Sequence, residues 1–403
     1  MELTTNEVMQ YIEEEDIKFI RLAFCDVTGV QKNISVMSGD IERVLKHGLP
    51  INASYIKGFG KDAYSDLFLH PDPSTTTLLP WRPENGRVVR MFCDITFQDG
   101  KPFPNDTRKI LQNSIAKAAN KGLAFKIGSR MEFYLFKTDE EGNPTQIPLD
   151  NAGYMDIAPA DKGENIRREI CLTLERMGIV PVNSHHEAGP GQNEIDFTSS
   201  DPLTAADQAS TFMMVVKTIA AKNGLYADFS PKPLSGRPGN GYHINFRIEG
   251  ENVQSVIPSA IAGILDRITD TMVFFNPTEE SYRRLGEDSS PRYISWSSEN
   301  RGQLIRIPPA EGSHHYAQLR SPDAGCNPYL AYSALIEMAL DGISRKLELG
   351  EAADIDVDLL GYEDRERFKM LPASLEEARV AAASSDFVKN IFEQSIIDCY
   401  CKG

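Results

Sequence analysis

Apolar and polar residues alternate with a period of two along some stretches of the chain and recur with a helical period along others. This pattern divides the chain into two units. In the first, the periodicity over residues 5–16 predicts a helix capped by Thr5. Alternation in IKFIRLAFCDV, a turn at Gly29 and a second run around QKNISVM predict two strands. A helix follows at about 40–48, then INASYIKGFG and a polar loop through HPDPSTTTLLPWRPENG. The run RVVRMFCDITF closes this unit as a strand. Asp99-Gly100 and PFPND read as the linker to a helix at about 107–121, so the boundary falls near residue 103.

Beyond it, several strands carry polar residues at spacing two. Arg130, Glu132 and Tyr134 share a face of KIGSRMEFYLF; His243, Asn245 and Arg247 share one of GYHINFRI; Tyr316, Gln318 and Arg320 share one of HYAQLRSP. Helical periods cover about 163–177, 202–223, 254–273 and 327–347. Helices packed outside a largely antiparallel sheet make the second unit α+β. No internal repeat or low-complexity segment interrupts it.

The segment His185-His186-Glu187-Ala188-Gly189-Pro190-Gly191-Gln192-Asn193-Glu194-Ile195-Asp196 reads as a hairpin, because Gly and Pro supply the turn geometry. The turn carries Glu187 back toward Glu194. On the second strand Glu194 and Asp196 take one face, Ile195 and Phe197 the other. Two carboxylates beside two histidines suit a divalent ion, and an exposed acidic hairpin remains the alternative at this point.

Composition narrows the function classes. The chain of 403 residues, 41% hydrophobic and 25% charged, can build a substantial core. Its net charge of -16 argues against nucleic-acid and anionic-membrane partners, so any bound phosphate must meet a local cationic pocket. Six scattered cysteines fit reduced thiols, and the acidic amino terminus is unlike a signal peptide. With no apolar run long enough for a membrane span, a cytoplasmic protein is expected.

The motifs HHEAGPGQNEIDF, NPTEESYRRL, ENRGQLIRIP and LRSPDAGCNPYLAYSALI, with CDVTGVQKN and Gly58-Phe59 upstream, together resemble the glutamine synthetase family. The resemblance spans almost the whole chain. It implies a small β-grasp-like domain (1–103), a larger catalytic domain with an antiparallel sheet and surrounding helices (104–403), and hexameric or dodecameric rings with active sites between neighbours. The implied reaction makes a γ-glutamyl phosphate from ATP and glutamate, which ammonia or an organic amine then opens, with Mg2+ or Mn2+ as cofactor. Three carboxylates of one metal site match Glu132, Glu187 and Glu194. Arg284 and Arg320 match substrate-side arginines, Arg301 and Arg306 the phosphate-side pair, and Asn245 lies on the nucleotide-binding strand.

Elsewhere the sequence departs from the family pattern. Of the second metal site only His243 remains; its glutamates are replaced by Arg130 and Gln318. A cation about 4 Å from a dication costs several kcal/mol at intermediate dielectric. The Arg130 guanidinium is therefore expected at the vacated cation position, bridging to Glu132 or meeting a phosphate. The ammonium-binding aspartate and loop glutamate of the family are matched by Asn52 and Ser290, with Glu287 and Asp288 near enough to substitute. These losses shift the balance toward an organic amine. Two readings stand: an ATP-dependent glutamate–ammonia or glutamate–amine ligase, and a catalytically impaired paralogue that binds a ligand or assembles with an active subunit. His185 and His186 are expected to orient Glu187, Trp81 and Trp296 to pack, and His314 and His315 to lie on the nucleotide side or in solvent.

Overall fold

The computed structural model describes residues 4–60, 66–82, 85–309 and 316–402. Its first helix, Thr5–Glu14, starts with Thr5 but is capped by Thr4. The Thr4 hydroxyl accepts from the Glu7 N–H while the Glu7 carboxylate accepts from the Thr4 N–H. This reciprocal box needs an acidic residue three positions after the cap, which Thr4 has and Thr5 lacks. A six-stranded sheet follows, in the order Gln31–Met37, Ile17–Cys25, Arg87–Thr96, Leu67–Pro71, Leu49–Ile51, with Thr77–Leu78 also on Arg87–Thr96. Ile17–Cys25 and Arg87–Thr96 run parallel; the other pairs are antiparallel.

The larger unit is built on a nine-stranded sheet around the 16-residue strand Leu123–Thr138. Outward from it on one side lie Tyr242–Gly250, Ala317–Leu319, Ile305–Arg306 and Trp296–Ser297, and on the other Gln192–Phe197 and Pro181–His186. Apart from the parallel outermost pair, the strands are antiparallel. Helices Glu164–Arg176, Pro202–Lys222, Val253–Phe275 and Pro328–Arg345 form where helical periodicity places them. Asp201 and Asn327 cap two of them, each followed by a proline whose missing N–H costs nothing in a first turn. Val253–Phe275 and Pro328–Arg345 cross closely, since a Cβ on Gly263 would sit 2.4 Å from the Met338 carbonyl oxygen. Trp81 and Trp296 pack against the core, and the Trp296 indole donates to the Gly350 carbonyl.

Register sets the polar face of this sheet. Asp196, Arg130 and His243 align across three strands, Glu194 faces Glu132, and Asn245, Gln318 and Arg306 form a further row.

Candidate active site

The hairpin folds as its sequence implies. Pro181–His186 pairs with Gln192–Phe197, and the turn is closed by the Glu187 N–H donating to the Gln192 carbonyl at 2.9 Å. Gly191 takes a φ of 67°, and Gly189 lies against the Tyr134 hydroxyl, which a Cβ there would meet at 2.0 Å. Neither place admits a side chain. His185 Nε2 lies 2.9 Å from Glu187 Oε1 and 3.6 Å from Glu194 Oε1, so it orients both carboxylates. His186 turns the other way, set between the Glu187 carbonyl at 2.7 Å and Asp150 Oδ1 at 3.0 Å, and braces the turn through its backbone.

Glu132 receives the Gly241 N–H at 2.8 Å and the Gln192 amide at 3.5 Å. Two overlapping sets of metal-donor side chains result: Glu132, Glu194 and His243, and His185, Glu187 and Glu194, with donor atoms within 4.8 Å of one another in each. His243, which the resemblance assigns to the other ion, thus lies beside Glu132 and Glu194. Burial pushes the Glu132 carboxyl up, reinforced by the Glu187 charge and opposed by Gly241, Arg284 and Arg320. The Glu194 carboxyl is driven well above the usual range by burial. Arg130 opposes the shift, while Asp196, Glu132 and Glu187 add to it. Glu194 Oε1 has no hydrogen-bond partner, and neither does His243 Nδ1. Crowded carboxylates with an unsatisfied buried oxygen fit a divalent cation.

Of the two contacts expected of Arg130, the bridge to Glu132 gives way to another carboxylate. Its guanidinium binds Asp196 Oδ2 through Nη2 at 2.6 Å and Nε at 3.1 Å, and its Nε lies 3.5 Å from Glu194 Oε1; no bridge to Glu132 forms. Register explains this. Asp196 stands directly across the strand pair from Arg130, whereas Glu132 is two residues along the same strand. Asn183 donates to the same Asp196 oxygen at 2.9 Å. Alternation had placed Asp196 on the polar face, but only the pairing reveals it as the anchor.

The four arginines line the remaining wall, and among the described residues none is ion-paired with a carboxylate. Arg284, buried at the end of the capped helix Glu279–Arg284, donates to the Ser290 hydroxyl and to the carbonyls of Ser321 and Pro322. Arg320 is buried too, donating to Gln318 Oε1 at 2.7 Å. Burial lowers its pKa to about 10; Glu132 opposes this, and Arg130, Arg306 and Arg301 deepen it. Arg306 is partly buried and Arg301 exposed. Burial, then the charges of Arg320, Arg130, Arg284 and Arg301, hold His243 well below its ordinary range, so it is a neutral imidazole. Asn245 accepts from the Gln318 amide at 2.8 Å.

The amine-side substitutions have definite partners. Asn52 Oδ1 accepts from the Ser54 N–H and hydroxyl within the turn Ala53–Tyr55. Ser290 accepts from Arg284, and Glu287 pairs with Lys232. Asp288 sits at a φ of 50°. His314 and His315 lie outside the described residues.

Known proteins resemble the chain along nearly its whole length. The family model for the glutamine synthetase catalytic domain matches residues 104–403, and that for the glutamine synthetase β-grasp domain matches 16–98. A glutamine synthetase of Methanosarcina mazei is 39% identical over 98% of this chain and 92% of its own length. One from Clostridium saccharobutylicum is 37% identical over 99% and 94%. Among solved structures, a GmaS complex with ADP superposes with a TM-score of 0.88 at 27% identity, covering 98% of this chain and 94% of that one. The Plasmodium falciparum glutamine synthetase, at 22% identity, covers 100% and 95% and reaches 0.86, a likeness of fold.

Proposed function

The chain belongs to the glutamine synthetase family and is a ligase, and on that premise we propose that it joins glutamate to ammonia or an organic amine at the expense of ATP, through a γ-glutamyl phosphate. One observation carries the reading. On a single sheet face, crowded carboxylates with an unsatisfied oxygen at Glu194 meet arginines that lack carboxylate partners, the two sets close enough for Arg284 and Arg320 to act on Glu132. A carboxylate substrate and the phosphates of a nucleotide supply the anions those arginines want, and a dication supplies the charge the carboxylates want.

In this proposal Glu132, Glu187 and Glu194 hold a Mg2+ or Mn2+ ion, with neutral His243 beside it. Bound there, the ion spreads the charge of the transferring phosphoryl group. Arg284 and Arg320 grip glutamate from buried positions whose desolvation strengthens each contact. Arg301 and Arg306 approach the phosphates, and Asn245 meets the nucleotide side. Because Asn52 and Ser290 carry no charge, an incoming organic amine loses less attraction here than a compact ammonium ion.

The same premise supports division into domains 1–103 and 104–403, hexameric or dodecameric rings in which the smaller domain of one subunit covers the sheet of the next, and a cytoplasmic location. No helix among the described residues is long and apolar enough to cross a membrane. With ATP, a divalent ion and glutamate, the purified protein is expected to release ADP when ammonia or one of a panel of primary amines is added. Silence across the panel from folded, assembled protein would overturn the ligase reading in favour of a binding or assembly role.

A further inference from the structure

Arg130 stands where the ion-binding face ends and the arginine wall begins. Its side chain is 19% exposed, clamped to Asp196 at 2.6 Å and lying 3.5 Å from Glu194 Oε1. Asn183 holds the same Asp196 oxygen at 2.9 Å, so the anchor is itself fixed. The guanidinium therefore lies against one of the carboxylates that an ion would use, and the strand register holds it opposite Asp196.

Donor supply points the same way. Among the described residues, His243 joins a metal-donor set only with Glu132 and Glu194, and Glu194 is also the corner of the other set. The two sets thus compete for one carboxylate. Beyond His243 the neighbouring charges are the guanidiniums of Arg320, Arg130, Arg284 and Arg301, and the side chain at position 318 is a neutral amide. An ion placed there would face cations at short range, and the carboxylates it could share with His243, Glu132 and Glu194, are ones that the first ion uses. The charge count favours a single ion. Glu132, Glu187, Glu194 and Asp196 together carry four negative charges, and Arg130 with one dication offsets three of them. A second dication would make the floor positive against an already cationic wall.

We propose that this pocket takes one divalent ion per chain, and that Arg130 is a positioning residue acting as a built-in cation, fixed by Asp196 and sharing Glu194 with that ion. The inference deepens the ligase reading and rests on it for the identity of the pocket. The nucleotide's phosphates then meet a guanidinium on the side where a second ion would otherwise sit. Arg130 also weakens the ion it accompanies, because it holds a positive charge beside a shared ligand.

The test is a titration of the assembled, nucleotide-free protein with Mn2+, in which free ion is read by electron paramagnetic resonance. The native chain is expected to show one saturable site, and two equal sites would overturn the proposal outright. Arg130→Gln is expected to tighten the Mn2+ site by about tenfold or more, since a repelling charge is removed at close range. Looser binding would mean that Arg130 merely braces Glu194 and Asp196, which also overturns it. Arg130→Lys keeps the charge and is expected to keep the native affinity. The pair Arg130→Glu with Gln318→Glu is expected to add a second site; a native-like melting temperature and assembly with still only one site would count against the proposal. Ion counts and ADP release are separate readouts. Two ions in an active ligase would sink only this inference, and one ion in a silent protein only the ligase reading.

Discussion

Glu194 has 2% side-chain exposure between Arg130 and His185, with one carboxylate oxygen unbonded. Both its carboxyl and that of Glu132 are raised above the ordinary value of 4.5, chiefly by burial. A carboxyl with a raised folded-state pKa contributes stability that is fully present below the unfolded value and is lost as pH climbs toward the folded one. The ion-free protein should therefore lose stability at these groups from pH 4.5 upward. A bound dication takes over from the proton and removes that loss. The gap in melting temperature between Mg2+-loaded and EDTA-treated protein is expected to widen from about pH 5 to about pH 8. A constant gap would contradict the assignment of these carboxylates to an ion.

Among the elements, the strands were easier to find than their partners. Alternation marked Arg130, Glu132 and Tyr134 as one face, but which residue Arg130 reaches is a property of the pair of strands, and that pairing puts Asp196 opposite it. Helix packing has a sharper requirement. Gly263 and Gly342 lie at the crossing of Val253–Phe275 with Pro328–Arg345, where a Cβ on Gly342 would come within 2.1 Å of the Ser259 carbonyl oxygen. Gly263→Ala is expected to lower unfolding stability by about 1–3 kcal/mol, because the helices must part to admit a methyl group. A urea midpoint equal to the native one would show that the crossing yields at no cost. The one helix cap read from the sequence, Thr5, fell one residue from the cap that forms, Thr4.

At the scale of the molecule, the two units are joined by buried polar contacts as well as by apolar packing. Arg108, 5% exposed on the first helix of the larger unit, pairs with Asp72 and Asp94 of the smaller one at 2.8 Å and with Asp207 at 3.2 Å. The Asn327 amide donates to the Asp26 and Val27 carbonyls, and Gly29 lies so close that a Cβ would sit 2.8 Å from the Asn327 Cα. Arg108→Met takes the ion pair from buried Asp207, leaving it the Tyr329 hydroxyl, and is expected to cost about 3–5 kcal/mol. Denaturant unfolding and limited proteolysis of the Asp99–Asn105 linker would both register it. Unchanged curves would mean that apolar packing alone holds the units together.

Local rules gave the strand faces and the Gly-Pro-Gly turn, while the grouping of Glu132 with Glu187 and Glu194 and the roles of Arg284, Arg301, Arg306 and Arg320 came from whole motifs that resemble a family. Glu187 and Glu194 flank a Gly-Pro-Gly turn, and Glu132 shares a strand face with Arg130. Local rules of this kind need only neighbours a few residues away. The structure alone decided how charges from distant segments settle against each other: Arg130 on Asp196 instead of Glu132, Glu287 on Lys232, His243 brought to Glu194, and Gly241 lending its N–H to Glu132. Those outcomes depend on strand register and burial, which are sums over the whole fold and leave no mark at any single position in the sequence.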